Sequence, residues 1–116
     1  MMVQLARAEA LKGLKRFTIL ADHAALLSQY APDPEYWHAQ ANARRTVYAW
    51  LIELVQTRGV DHAYHAAQRR YADLPLVCHD PSLSGQRAAL ESFFTILGKN
   101  EVLKGGEVQG DAQVEA

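Results

Sequence analysis

Between Asp33 and Gly59 lie 25 residues, Pro34 the first, with no glycine and no further proline. Placed at 100° per residue, Tyr36, Trp37, Ala41, Ala43, Val47, Tyr48, Trp50, Leu51, Ile52, Leu54 and Val55 cover an arc of roughly 200°, wider than the one-sided stripe of a surface helix. A helix with that much apolar circumference must sit at the centre of its domain or meet a second subunit. Its ends are marked as well. Asp33 can cap it and Pro34 can take the first helical position, where a missing N–H costs nothing, while Gly59 offers the positive φ that ends many helices.

The other segments follow from the same punctuation. Residues 3–30 read as one long helix, with a bend allowed at Gly13, and "YAPDP" stops it. On this helix Leu14, Phe17, Leu20, Ala21, Ala24 and Leu27 share one face, while Ile19 and Leu26 form a second ridge flanked by His23 and Tyr30. That ridge needs a partner. Asp61 can cap a third helix over 62–73, which ends at "LPL" because the residue before proline avoids the helical region. "PLVCHDPSLS" then reads as a loop, with Ser82 or Ser84 capping a fourth helix over 83–97. In that helix Ala89, Leu90, Phe93, Phe94, Ile96 and Leu97 make an apolar face, and Gly98 closes it. Residues 99–116 carry three glycines and no aromatic side chain, and read as a mobile tail adding almost nothing to stability. The expected fold is all-α, a compact four-helix bundle-like domain over 1–98. The 116-residue length suits one domain, and no internal repeat is visible.

Charge and cysteine content narrow the functional classes. A net charge of −1 gives no global field towards nucleic acid or an anionic membrane. The single cysteine, Cys78, cannot form an internal disulfide and fits a reducing compartment, so a cytoplasmic location is expected. "FTILADHAALL" is interrupted by Asp22 and His23 and is too short to span a bilayer, and "MMVQLARAEALKGLK" lacks the pattern of a signal peptide. No serine or cysteine sits in a nucleophile motif, and no glycine-rich loop ends as a phosphate loop does, so no cofactor is expected.

Chemistry-bearing residues concentrate in "DHAYHAAQRRYADLPLVCHD", 61–80. At helical spacing His62, His65, Arg69 and Asp73 line one polar stripe, with Tyr64, Ala67 and Tyr71 opposite. Two histidines one turn apart supply half a zinc site. His79, Cys78 or Asp80 could complete it only if the loop folded back, so no metal is expected and His62, His65 and His79 stand as the alternative ligand set. Arg70 projects among Ala63, Ala66 and Ala67, where its stem can cover the core while its head reaches Glu53 or Asp22; the functional alternative is anion binding.

Arg58 and His65 are separated by six residues, as are Arg16 and His23. That spacing resembles the arginine–histidine motif of the HEPN ribonucleases, which act as dimers of helix bundles, and the resemblance implies Arg58 and His65 as catalytic residues. The chain departs from the pattern in two ways: Gly59 follows Arg58 where a polar residue is common, and the two residues fall on different helices. Helix 2, "RGVD" and helix 3 also imitate a helix-turn-helix, but His62, His65 and Gln68 occupy the positions its inner apolar residues need, and Asp61 and Asp73 bracket Arg69 and Arg70. Nucleic-acid binding is thus an alternative and not the favoured reading.

The favoured reading is a soluble, non-catalytic interaction protein that binds another macromolecule and self-associates. Its expected interface is helix 2, anchored by Trp37, Tyr48 and Trp50, with Ile19 and Leu26 at the rim.

Overall fold

The computed structural model describes residues 6–98. Among these, four helices and one short 3₁₀ turn form an all-α bundle without strands: α1 (Arg7–Leu27), the turn Ser28–Tyr30, α2 (Pro34–Arg58), α3 (Val60–Ala72) and α4 (Pro81–Leu97). The expected start of helix 1 at residue 3 and the expected tail at 99–116 lie outside the described residues.

The wide apolar arc of α2 is used within the chain. α2 packs against α1, α3 and α4, and is the hub of the bundle. Asp22 meets Arg45 and Phe17 meets Tyr48, so α1 runs antiparallel to α2. Gly85 near the start of α4 lies on Gln40 and Ala43 of α2, and Ile96 near its end lies on Gly13 of α1, so α4 runs parallel to α2. α3 returns antiparallel, its Tyr71 on Glu91 and Phe94 and its Tyr64 on Phe94. Leu14, Val47, Tyr48, Leu51, Val55, Leu90, Phe93 and Phe94 are fully enclosed. Buried Ala10, Ala21, Ala41, Ala63, Ala67 and Ala89 bring the helices close, because a methyl side chain lets two backbones approach.

Several sequence expectations need correction. On α1, Leu20 and Leu27 do not join the core; they are 48% and 63% exposed, and the inward face is Ala10, Leu14, Phe17, Ala21 and Ser28. The physical reason is angular: Leu20 and Leu27 lie about 120° around the helix from the Leu14–Ala21 axis, and the small residues on the inward face let α2 approach there. Asp33 holds the N-cap position of α2, but its side chain accepts no capping hydrogen bond; its backbone carbonyl accepts from Trp37 N–H at 3.2 Å. Asp61 does not cap α3. Gly59, at φ 95°, serves both as the last cap of α2 and the first of α3, so Asp61 falls inside the first turn. Neither Ser82 nor Ser84 caps α4: Asp80 does, its Oδ2 accepting from Leu83 N–H at 3.1 Å, with Pro81 as the first helical residue. α1 runs as helix through Gly13, whose missing side chain makes room for Ile96; a Cβ there would stand 3.0 Å from Ile96 Cγ2.

Candidate functional site

The polar stripe sits on the outer face of α3. His62, His65, Arg69 and Asp73 are all exposed, and the nearest carboxylate oxygen of Asp61 is 4.0 Å from His65 Nε2. His79 is exposed in the α3–α4 loop, and among the described residues no three His, Cys, Asp or Glu side chains converge as a metal site would require. Arg58 is exposed at the end of α2 and His65 projects from α3, so the arginine and histidine of the ribonuclease-like spacing occupy separate helices.

Arg70 reaches neither Glu53 nor Asp22. Its guanidinium lies over the Trp50 ring at 4.7 Å, and Nη2 donates to Gln86 Oε1 at 3.4 Å. Asp22 is engaged elsewhere, accepting from Arg45 Nη1 at 3.3 Å. The stem of Arg70 covers the core as expected of a long cationic side chain, but an aromatic face and an amide receive its head.

Sequence reasoning missed a second arginine. Arg87 of α4 donates through Nη1 to the carbonyl oxygens of Pro75 and Leu76 at 3.1 and 2.9 Å, and through Nε to Glu91 Oε2 at 3.2 Å. Its guanidinium also lies 5.3 Å from the centre of the Tyr71 ring, and Tyr71 OH donates to the same Glu91 oxygen at 3.0 Å. Hydrogen bonding to Cys78 and to Glu91 raises the Arg87 pKa above its ordinary value, and burial together with the Glu91 carboxylate raises that of Tyr71. The cluster fastens the α3–α4 loop to α4, and the loop presents Leu76, 91% exposed, and Val77. The only sequence signal was the i,i+4 spacing of Arg87 and Glu91; carbonyl recognition leaves none.

The expected interface divides. Tyr48 is wholly buried, and among the described residues its hydroxyl has no hydrogen-bond partner, so it belongs to the core and not to an interface. Trp50 is half-buried beneath Arg70. Trp37 stays about half exposed, edge-on to Tyr36 at 4.9 Å between ring centres, one turn into α2. Among the described residues, the exposed large apolar side chains gather instead on α1. Ile19 and Leu26 are exposed, and so are Leu20, Leu27 and Tyr30. With His23, the four aliphatic side chains fall within about 120° of the helix circumference, turned away from Leu14 and Ala21. They repeat every seven residues: Ile19 with Leu26, Leu20 with Leu27, His23 with Tyr30.

Charge is unevenly placed along the same helix. The first half of α1 carries exposed Arg7, Lys12, Lys15 and Arg16 against a single carboxylate, Glu9, and a hollow of about 240 Å³ opens among Glu9, Lys12, Gly13 and Arg16. Just past the other end of α1 stand Asp33 and Glu35, both exposed. The arrangement on α1 is thus an exposed apolar face with a basic stretch before it and two carboxylates beyond it. Among the described residues no helix is long and apolar enough to cross a membrane. No protein-family model, curated protein or solved structure matches the chain.

Proposed function

We propose that the protein is a non-catalytic helical docking module that binds another macromolecule through the outer face of α1. One observation carries this reading: Ile19, Leu20, Leu26, Leu27 and Tyr30 are each about half exposed or more on a single helix and the turn that ends it. Scattered exposed leucines are ordinary on a protein surface, but a contiguous apolar face beside a charged rim is the pattern of an interaction site. Enclosing what remains exposed of such side chains gains about 1 kcal/mol each before association costs are met. The interface thus moves from α2, where three helices already use the apolar arc, to α1. The single Cys78 suits a reducing, cytoplasmic setting.

The test compares wild type with Ile19→Asp/Leu26→Asp as baits and as purified proteins. Both side chains face outward, so the variant should keep its helicity and hold its thermal midpoint within about 3 °C. It should lose the associations, with itself or with other macromolecules, that wild type makes. A variant that keeps all of them, or that unfolds, contradicts the reading.

A further inference from the structure

We propose that the occupant of this face is a second copy of the same chain, its α1 laid antiparallel on the first across a twofold axis near His23. The proposal rests on the docking reading above and gives it a partner and a register. The seven-residue recurrence of Ile19 with Leu26 and of Leu20 with Leu27 is the spacing by which one helix keeps a continuous seam against another helix. A twofold arrangement about His23 sets Ile19 of one copy opposite Leu27 of the other, and Leu20 opposite Leu26, so each copy covers the other's surplus and the assembly closes.

Charge selects the direction. In a parallel pair the basic halves of the two α1 helices would lie side by side, with Lys12, Lys15 and Arg16 of both copies repelling. The antiparallel pair carries Lys12 and Arg16 of each copy to the end where the other presents Asp33 and Glu35, carboxylates that make no ion pair with another described residue. Opposite charges brought together at a rim steer association and fix register, and like charges exclude the alternative. α1 is 21 residues long, hence about 31 Å, enough for the seam and both charged ends to engage at once.

The first test is charge exchange, read by sedimentation equilibrium at low salt with circular dichroism as the control for folding. Lys12→Glu/Arg16→Glu and Asp33→Lys/Glu35→Lys should each weaken the dimer about tenfold or more, and the chain carrying all four changes should recover to within about threefold of wild type. The second test is disulfide trapping in a Cys78→Ser background, which does not depend on the charge variants folding. Chains with Ile19→Cys and chains with Leu27→Cys should cross-link when mixed and not separately, because equivalent positions in this register stand about 12 Å apart along the axis. Cross-linking of Ile19→Cys with itself, or a quadruple variant no better than either pair, overturns the antiparallel register. Wild type that stays monomeric to 100 μM (roughly the range of weak homodimers) overturns the second copy as occupant. The docking reading would then stand or fall by the separate Ile19→Asp/Leu26→Asp comparison.

Discussion

Tyr48 was read from the sequence as an interface anchor because tyrosine is common there, and its burial beside Phe17 makes it a core ring whose hydroxyl has no hydrogen-bond partner among the described residues. A buried polar group without a partner carries its full desolvation cost, so Tyr48→Phe should leave stability unchanged or raise it by about 1 kcal/mol in urea unfolding. Gly85 works in the other direction. Replacing a helical glycine by alanine ordinarily stabilises by about 0.5–1 kcal/mol, but a Cβ at Gly85 would overlap the carbonyl oxygen of Gln40 and stand 2.7 Å from Ala43 Cβ. The obstacle is backbone and cannot turn aside, so Gly85→Ala should destabilise by about 1–3 kcal/mol. Nothing in "SLSGQR" announces that contact; it exists only once α4 crosses α2. Tyr71 holds its proton more tightly in the folded chain than in the unfolded one, through burial and the Glu91 carboxylate. Its contribution is therefore complete below the ordinary tyrosine value of about 10 and is lost as pH rises through the raised folded value. Stability measured above pH 10 should fall less steeply in Tyr71→Phe than in wild type.

Among the elements, the sequence marks α2 to the residue, because Pro34 fixes φ at its start, Gly59 admits a positive φ at its end, and the wide apolar arc lies between them. The start of α4 carried the same aspartate–proline signal at Asp80-Pro81, but the serines downstream competed as caps and drew the boundary two residues too late. Identical dipeptides do different work in the two helices. Asp80 accepts the Leu83 N–H, whereas the Asp33 side chain accepts no capping hydrogen bond. Asp80→Ala should accordingly cost about 1 kcal/mol and Asp33→Ala only a few tenths, measured by thermal or urea unfolding. The face of α1 was legible in part. Leu14, Phe17 and Ala21 were placed correctly, but a rule that sends large side chains inward misassigns Leu20 and Leu27, since the true inward face is built on small residues, Ala10 and Ser28 among them.

For the molecule as a whole, the surplus of apolar surface was visible in the sequence, and its location only in part, through the Ile19 and Leu26 ridge of helix 1. The breadth of α2 admitted two outcomes, a central helix or a subunit contact. Covering by α1, α3 and α4 selects the first, and the unsatisfied surface then falls on the side of α1 turned away from α2. Charge at Trp50, half-buried under Arg70, should therefore damage the fold, with Trp50→Asp costing about 2 kcal/mol or more, while charge at Leu26 should leave the fold intact. The direct measurement is sedimentation equilibrium of wild type and Leu26→Asp across micromolar concentrations. The expected result is twice the chain mass of 12.9 kDa for wild type and the single-chain mass for the variant. Association undiminished by aspartate at position 26, or a wild type that never exceeds the single-chain mass, would contradict self-association through the outer face of α1.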